Sequence, residues 1–364
     1  MSFLRCIAAT MLGSALLGLA PTPSGTGQAL AGDFGYAGMS GNDTLVPFVL
    51  ATGTAVAPAI DLLPEGDYPY DATIHPWGHE VWVCGAAGDG VVVVDTATNA
   101  VLARIPLGPA GAYPVDIVFG LWGRYAYVSS RDSDAVVVLD VASHSLTGVT
   151  IPIAGGSLGP GKMVLNPATG EIYLVDWYDD KLNVVDPLGG TSTSTSIGNS
   201  LWDLEVDSAG STLYVTDRGT DEVHVVELPG ITVLTSIAVG ADPWGIDLTP
   251  DDRWLLVANE DSGSLSVIDT ASYTVTTTIP LGGAPRDVDI SADGALAYVP
   301  TGTITGDDGL FVIDVATQTL VGTISLAPGS NTNVVAVTPQ AAWGGVFADD
   351  FESGDTSRWS ATVP

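Results

Sequence analysis

Six pairs of neighbouring residues recur at intervals of 41 to 46 residues, and together they offer acids, bases and aromatic rings. Carboxylates that meet at one point can hold a cation such as Ca2+, and aromatic rings can stack on a sugar or another flat ligand. Whether the pairs act together depends on whether the fold gathers them in one place. The pairs are Tyr70-Asp71, Val115-Asp116, Gly161-Lys162, Trp202-Asp203, Trp244-Gly245 and Arg286-Asp287.

The segments that carry these pairs belong to an internal repeat. Each unit holds four short runs of β-branched and aromatic residues separated by Gly, Asp and Pro, which is typical of short strands joined by turns. One run per unit ends in an acidic residue, and these ends are spaced 45, 46, 41, 42 and 45 residues apart. A four-stranded unit at this period predicts a blade of a β-propeller, in which sheets stack radially around a channel. The first strands open at Pro69, Pro114, Pro160, Leu201, Pro243 and Pro285, and the acidic ends are Asp95, Asp140, Asp186, Glu227, Asp269 and Asp314.

A seventh blade is predicted from what remains at the two ends of the repeat region. Residues 45–62 have the pattern of outer strands without an inner strand, and residues 333–338 have the pattern of an inner strand without outer strands. Their combination would close the ring and leave no sheet edge unpaired. The sequence therefore predicts an all-β, seven-bladed β-propeller of four-stranded antiparallel blades over residues 32–342.

In such a ring the six pairs lie at the mouth of the central channel, on the face where each first strand begins. We call this the top face and its opposite the bottom face. Loops between second and third strands also reach the top face, so a site for a protein, a glycan or a small ligand is predicted there. The alternative is that these residues only complete strand ends and pack between blades. The predicted site residues are Tyr70, Asp71, Asp116, Arg131, Lys162, Trp177, Trp202, Asp203, Arg218, Trp244, Glu260, Arg286 and Asp287.

The acids have two expected roles. Asp116, Asp203 and Asp287 are candidate ligands for Ca2+ at the channel mouth, and no other cofactor is required. The acids that precede hairpin turns are expected instead to accept backbone N–H bonds and so to fix the turns. These hairpin acids include Asp95, Asp140, Asp269 and Asp314.

The charge balance argues against one class of partner. With 10 Lys+Arg against 42 Asp+Glu and a net charge of -32, the chain would repel the phosphate backbone of a nucleic acid. We therefore expect no nucleic-acid partner.

The N-terminal segment is typical of an export signal. Arg5 precedes an apolar run over residues 6–20 that is too short to span a bilayer, and residues 29–31 fit the small-x-small rule for cleavage. Residues 1–31 are predicted to be removed, so that the mature chain begins at Gly32 and is periplasmic, extracellular or on the cell surface. No later stretch approaches 18 uninterrupted apolar residues, so no transmembrane segment is expected in the mature chain. The mature protein is also expected to be a monomer.

Signals for catalysis are weak. The sequence contains no Cys-x-x-Cys-His for haem attachment and no phosphate-binding Gly loop with a Lys. His144 lies in a predicted hairpin turn and His224 in a predicted strand, and neither has an evident Ser, Cys or carboxylate partner in the sequence. A non-catalytic exported binding or scaffold protein is therefore the favoured function. The alternative is a hydrolase or lactonase that uses a cation at the channel mouth.

The repeats resemble the YVTN β-propeller repeat, a family that includes YncE-like exported proteins. The likeness is carried by residues 255–271, LLVANEDSGSLSVIDTA, and by residues 213–217, LYVTD. It covers roughly residues 34–340 and implies a seven-bladed propeller, often extracellular or on the cell surface and usually without assigned catalysis. Some relatives are reported to bind DNA, a property that the negative charge of this chain argues against.

The last residues differ from the repeats. Residues 343–364 begin WGGVFADDFESGDTSRWS and resemble a C-terminal tail of the type FADGFESGDTSxWS that recurs on otherwise unrelated exported bacterial proteins. The resemblance implies a role in sorting or surface retention. The alternatives are the truncated start of a jelly-roll domain or a disordered end.

Overall fold

The computed structural model describes residues 34–50, 52–56, 58–155, 159–300, 309–326 and 331–337. These residues form strands grouped in seven sheets, together with two short 3-10 helices, Gly108–Gly111 and Arg131–Ser133. Across the described ranges, no helix has the length and apolar character needed to cross a membrane. The predicted export signal (1–31) and C-terminal tail (343–364) lie outside the described residues and stay predictions.

The strands follow one another around the ring. The first four are β1 (Phe34–Met39), β2 (Thr44–Val49), β3 (Thr54–Ala55) and β4 (Ile60–Asp61). Blade 1 contains β5 (Pro69–Ile74), β6 (Glu80–Gly85), β7 (Gly90–Asp95) and β8 (Val101–Pro106). Blade 2 contains β9 (Pro114–Phe119), β10 (Tyr125–Ser130), β11 (Ala135–Asp140) and β12 (Ser145–Pro152). Blade 3 contains β13 (Pro160–Leu165), β14 (Ile172–Asp176), β15 (Lys181–Asp186) and β16 (Thr191–Ser196).

The next three blades continue the pattern. Blade 4 contains β17 (Leu201–Val206), β18 (Thr212–Asp217), β19 (Glu222–Glu227) and β20 (Thr232–Ala238). Blade 5 contains β21 (Pro243–Leu248), β22 (Trp254–Asn259), β23 (Ser264–Asp269) and β24 (Thr274–Pro280). Blade 6 contains β25 (Asp289–Ile290), β26 (Leu296–Pro300), β27 (Gly309–Asp314) and β28 (Thr319–Ser325). In each of these six blades the strands pair in sequence order, and the first strands of neighbouring blades contact one another around the channel.

The last strand, β29 (Thr332–Val337), closes the ring in blade 7. It pairs antiparallel with β1, with Ala37 opposite Val335, and the order of the sheet is β29-β1-β2-β3 with β4 also paired to β2. The predicted seven-bladed fold, with a blade shared by the two ends of the chain, is confirmed. The sequence interpretation missed β1, because Gly35 and Gly38 interrupt its apolar pattern.

The hydrophobic core lies between neighbouring blades. The second and third strands are covered on both faces by adjacent sheets, so their residues form continuous apolar runs rather than an alternating pattern. In β7, Val91 and Val93 pack against blade 2, whereas Val92 and Val94 pack towards blade 7, and all four are fully buried. The unbroken valine run is therefore explained by burial on both sides.

Five of the six acids at the ends of third strands fix the hairpins, and four of these five are the predicted ones. Each accepts the backbone N–H three residues ahead with one carboxylate oxygen, at 2.7–2.9 Å. The bond holds the turn between the third and fourth strands on the bottom face. The acids are Asp95, Asp140, Asp186, Asp269 and Asp314.

A second set of acids joins blades at the top face. Each has a positive φ just before a third strand and accepts the N–H of the residue that precedes the next first strand, at 2.5–2.9 Å. These loop acids therefore hold neighbouring blades in register at the rim of the channel. The bonds join Asp43 to Tyr68, Asp89 to Tyr113, Asp180 to Ser200 and Asp221 to Asp242.

Candidate binding site at the channel mouth

The predicted pairs lie at irregularities near the start of the first strands. The register between first and second strands shifts at Tyr70, at Gly161-Lys162, at Trp202-Asp203 and at Trp244-Gly245. A bulge removes residues from the ladder and changes the direction of their side chains. The N–H of Asp203, left out of the ladder, donates to the Thr216 hydroxyl at 3.0 Å. Bulges in the strands therefore aim the site residues towards the channel.

Lys162 lies among carboxylates of neighbouring blades. Its Nζ is 2.5 Å from Asp71 Oδ1 and 4.0 Å from Asp116 Oδ1, and its side chain is only 16% exposed. Burial opposes the positive charge, but Asp71, Asp116, Asp203 and Asp287 outweigh it and hold the pKa of Lys162 well above its usual value. Lys162 therefore offsets the mutual repulsion of acids from four blades.

The channel acids also tie neighbouring first strands together. Asp203 accepts the N–H of its own neighbour Leu204 with Oδ1 at 2.8 Å and the N–H of Ile246 in the next blade with Oδ2 at 3.3 Å. The same Oδ2 contact to a following blade recurs at 2.5–2.9 Å in Asp116 to Met163, Asp247 to Ile290, Asp287 to Val335 and Asp289 to Val337. These bonds agree with the alternative role of completing strand ends. Each carboxylate oxygen has a second lone pair, so these oxygens can still accept a hydrogen bond from a ligand.

A second tier of acids lies two residues further along three of the first strands. Because side chains alternate along a strand, Glu205, Asp247 and Asp289 share a strand face with positions 203, 245 and 287. Burial raises the pKa of Glu205 to about 8. Burial, together with neighbouring acids, raises the pKa of Asp247 and Asp289 well above the usual range. The sequence interpretation missed this tier, although the spacing of two residues was its signal.

The pKa values of two acids at the channel mouth itself are raised as well. Burial raises the pKa of Asp203 to about 6 and that of Asp287 to about 7, although Lys162 opposes both shifts. These two carboxyl groups are therefore poised to exchange a proton near neutral pH.

Five aromatic rings form an arc around the mouth, and we call them the aromatic belt. Trp177 and Trp202 stack in parallel with centroids 4.2 Å apart, and Trp202 lies 4.2 Å from Trp244. Tyr70 lies 5.7 Å from Trp177 and 6.2 Å from Tyr113. The rings expected to stack on a ligand thus stack on one another, and a flat ligand has no space between Trp177 and Trp202.

Arg218 braces the belt at its centre. Its guanidinium lies 4.4 Å from the ring centre of Trp202 and 4.3 Å from that of Trp244. Two hydrogen bonds to Asp242, at 2.5 and 2.9 Å, fix its plane. Such a held guanidinium stabilises the tilt between the two indole rings through cation–π contacts.

Two further arginines continue this arrangement. Arg286 lies 4.9 Å from the ring centre of Trp244 and donates to Glu260 at 2.8 Å. Arg131 lies 3.3 Å from the ring centre of Tyr113. The arginines of the top face therefore order the belt and are themselves held by carboxylates.

A small cavity opens inside the belt. Its volume of about 70 Å³ accommodates a few water molecules or the tip of a larger ligand. Two cations, Lys162 and Arg286, and two acids, Asp203 and Asp287, give the lining a balanced charge. The lining residues are Tyr68, Tyr70, Lys162, Trp202, Asp203, Trp244, Arg286, Asp287, Asn333 and Val334.

Gly245 is the exception among the repeated channel positions. Its N–H donates to the carbonyl of Arg286 at 3.1 Å, and a Cβ at this position would lie 2.6 Å from the Cα of Asp287. Blades 5 and 6 approach too closely here for any side chain, so the position requires glycine.

The structure divides the predicted site residues into two groups. Tyr70, Lys162, Trp202, Asp203, Trp244, Arg286 and Asp287 line the cavity. The others lie around it: Asp71 and Asp116 contact Lys162, Trp177 belongs to the belt, and Arg131, Arg218 and Glu260 brace it. Three lining residues were missed, namely Tyr68, Asn333 and Val334. The last two belong to the closing strand, and their place near its start was the signal that could have found them.

The described residues contain no group of three or more His, Cys, Asp or Glu side chains that could hold a metal ion. Asp116, Asp203 and Asp287 each direct one oxygen at a backbone N–H of the next blade. The calcium site at these three acids stays a prediction.

Two histidines have partners that the sequence did not reveal. His144 Nε2 lies 2.9 Å from Glu80 Oε1, a contact between blades 2 and 1. His224 lies 2.9 Å from Asp217 and 2.9 Å from Ser236. These partners come from other strands, so they could be identified only once the strands were paired.

We expect the protein to be most stable at mildly acidic pH. The folded state raises the pKa of Asp203, Asp287 and Glu205 above the values near 4 of an unfolded chain. It therefore binds more protons than the unfolded chain, and stability falls as pH rises from about 4 to about 8. Below about pH 4, protonation removes the contribution of hairpin acids such as Asp140 and Asp269, whose pKa local hydrogen bonds lower.

Thermal unfolding followed by circular dichroism across this pH range checks the expectation, with a maximum in Tm near about pH 4. Glu205→Gln removes one titrating group and keeps an oxygen for the Val206 N–H, so it should flatten the decline above about pH 6. A Tm that rose steadily between about pH 5 and pH 8 would contradict the prediction.

The family model described as "Lactonase, 7-bladed beta-propeller" matches residues 181–276, which extend from β15 into β24. No curated protein sequence is significantly similar to the chain. A solved structure of a functionally unknown protein from Desulfotomaculum acetoxidans is 15% identical, with a TM-score of 0.69, and the match covers 85% of this chain and 99% of that chain.

Two further solved structures are similar. Hydrazine synthase from Kuenenia stuttgartiensis is 17% identical with a TM-score of 0.64, covering 75% of this chain and 90% of that chain. Dihydro-heme d1 dehydrogenase NirN in complex with DHE is 18% identical with a TM-score of 0.63, covering 86% of this chain and 67% of that chain. At these identities the likeness concerns the fold alone. The chain is a seven-bladed β-propeller.

Proposed function

We propose that the protein binds a polar, polyhydroxylated ligand, such as the end of a glycan chain, in the cavity inside the aromatic belt. The observation that carries the proposal is the lining, which combines aromatic rings with two cations and two carboxylates. A sugar presents apolar C–H faces together with rows of hydroxyl groups. Aromatic rings match the first feature, and charged donors and acceptors match the second.

The size and charge of the site narrow the ligand class. The cavity of about 70 Å³ admits only the tip of a ligand, so the remainder would lie along the rim beside Tyr68, which is 38% exposed. The net charge of -32 opposes the approach of an anionic polymer. A neutral glycan fits both conditions, and this role requires no catalysis.

Variants of Tyr68 and Asn333 test the proposal by isothermal titration with a panel of neutral oligosaccharides. Both residues line the cavity, and neither carries a bracing arginine contact. Tyr68→Ala and Asn333→Ala should each weaken binding by about 10-fold, because each removes a contact with the ligand. This change corresponds to a loss of about 1.4 kcal/mol of binding free energy. Trp77→Ala is the control, because Trp77 is 61% exposed in a turn on the bottom face. Equal losses in all three variants, or no binding by the native protein, would contradict the proposal.

A second candidate is hydrolysis of a lactone in the same cavity. The family likeness over residues 181–276 favours it, as does Asp203, whose pKa of about 6 suits a general base. The carboxylate would take a proton from the water that attacks the carbonyl carbon, and Lys162 would stabilise the developing oxyanion. The ring C–O bond would then break, and the leaving alkoxide would take the proton from Asp203. Hydrolysis of glucono-δ-lactone in a pH-stat, above the rate in buffer and lost in Asp203→Asn, would favour this candidate. Binding without turnover would favour the first.

We also propose that the protein is exported and acts as a monomer. The predicted signal over residues 1–31 and the resemblance of the repeats to YVTN, YncE-like propellers support export. N-terminal sequencing of exported material should begin at Gly32, and an intact Met1 would contradict cleavage.

A further inference from the structure

Blade 4 contains a chain of hydrogen bonds that is separate from the channel cavity. Asp217 ends β18, His224 lies on β19, and Ser236 lies on β20 directly across from His224. The imidazole joins the two: Nε2 lies 2.9 Å from Asp217 Oδ2, and Nδ1 lies 2.9 Å from Ser236 Oγ. An acid, an imidazole and a hydroxyl are therefore linked in series across three strands.

The acid determines which imidazole nitrogen carries the proton. Although burial opposes its charge, hydrogen bonds from His224 and from the backbone of Asn199 and Gly219 lower the pKa of Asp217. An ionised carboxylate only accepts, so a neutral His224 carries its proton on Nε2. Nδ1 is then the acceptor, and the Ser236 hydroxyl donates to it. This is the relation of a serine nucleophile to its general base, with the two ring nitrogens exchanged relative to the usual serine triad.

The exposure of the three side chains suits a serine nucleophile and its base. Asp217 is fully buried, His224 is 6% exposed, and Ser236 is exposed on the outer strand. Gly198 makes room for the buried contact, because a Cβ there would lie 2.5 Å from Asp217 Oδ2 and 2.7 Å from His224 Nε2. The hydroxyl therefore meets solvent, whereas the groups that orient it are shielded.

Blade 3 provides a natural comparison. Asp176, Asn183 and Ser194 occupy the corresponding strand positions, and Asn183 lies directly across from Ser194. The buried amide of Asn183 has no hydrogen-bond partner among the described residues. An amide cannot take a proton from serine, so blade 3 has the same framework without a base.

We propose that Ser236 is a nucleophile that accepts an acyl group from a small ester, with His224 as general base and Asp217 as the residue that positions it. The Ser236 Oγ forms a bond to the carbonyl carbon while its proton passes to His224 Nδ1. The C–O bond to the leaving alkoxide then breaks, and the alkoxide takes that proton. Water repeats both steps, which releases the acid and restores the hydroxyl.

A fluorophosphonate probe tests the nucleophile on the full-length protein. The Ser236 oxygen would form a bond to phosphorus as the P–F bond breaks and fluoride leaves, and peptide mass spectrometry would locate the label. His224→Asn introduces the residue found at the corresponding position of blade 3. It should slow labelling at Ser236 by at least about 10-fold, because a general base typically contributes a rate factor of about 100 or more. Ser236→Ala should abolish both the label and any hydrolysis of p-nitrophenyl acetate.

Ser194→Ala is the matched control, and it should leave labelling and hydrolysis unchanged. Since Ser236 is exposed, its replacement should not alter the Tm, which separates loss of the nucleophile from unfolding. Absence of label from Ser236, or equal labelling of Ser194 and Ser236, would overturn the proposal.

Discussion

Replacing Lys162 with Gln is expected to lower the free energy of unfolding by about 3 kcal/mol at neutral pH, as is typical when one partner of a buried ion pair is removed. The Lys162 ammonium lies 2.5 Å from Asp71 and 4.0 Å from Asp116, and the two carboxylates are only 7% exposed. Without the cation, these acids would face each other in a poorly solvated channel. The variant should therefore unfold at lower denaturant concentration.

The loss of unfolding free energy in the Lys162→Gln variant should become smaller as the pH is lowered towards about 5. Lys162 lowers the pKa of Asp116, Asp203 and Asp287, so its removal raises these pKa values and the folded variant binds more protons than the native protein does. Protonation then relieves the repulsion that the substitution introduces. Chemical denaturation at two pH values measures both effects.

The second lysine of the chain provides the control. Lys181 lies 2.7 Å from Asp179 on the rim, with a more exposed side chain, so Lys181→Gln should leave the unfolding midpoint almost unchanged. Equal destabilisation by the two substitutions, or a Lys162 effect that does not depend on pH, would contradict this role for Lys162.

Deletion of residues 34–62 is expected to make the protein aggregate. The deletion removes β1 to β4 and leaves β29 as the only described strand of blade 7. The flanking blades would then expose apolar faces and unpaired edges, which associate readily. Size-exclusion chromatography with light scattering measures the outcome, and a monomeric product with unchanged Tm would show that blade 7 does not close the ring.

A disulfide between the first and last strands of the chain should instead stabilise the closure of blade 7. Ala37 and Val335 are direct partners across β1 and β29, so Ala37→Cys with Val335→Cys should form a disulfide under oxidising conditions. The bond should raise the free energy of unfolding by about 2 to 4 kcal/mol over the reduced form. Failure of the two thiols to pair in the folded protein would contradict the observed register.

The repeat made the fold predictable because each blade reuses the same local chemistry. Five first strands begin at the predicted residue, such as Pro69 and Leu201, since a turn precedes a short β-branched run in every unit. Blade 6 differs: its first strand was expected from Pro285, but β25 contains only Asp289–Ile290. The hairpin role of acids such as Asp95 could be predicted because it depends only on residues three positions apart.

The candidate site was only partly predictable. Topology alone places the pairs at the channel mouth, so the cavity position of Lys162 and Asp203 followed from the repeat. The stacking of Trp202 against Trp177 did not, because it depends on bulges and on the tilt between blades. Contacts such as Arg218 with Asp242 depend on side-chain conformations that no spacing in the sequence specifies.

Blade 4 illustrates the same limit. His224 has the position of an ordinary strand residue in the sequence, and its partners lie 7 and 12 residues away in the chain. Only the pairing of β18, β19 and β20 places Asp217 on one side of the imidazole and Ser236 on the other.

A crystal structure grown with the tightest-binding oligosaccharide of the panel tests the proposed binding site most directly. We predict density for a sugar unit against Tyr68 and Asn333, with hydroxyl groups within hydrogen-bond distance of Lys162, Asp203 or Arg286. Density for the sugar only on the bottom face, or a cavity that excludes it, would contradict the proposal.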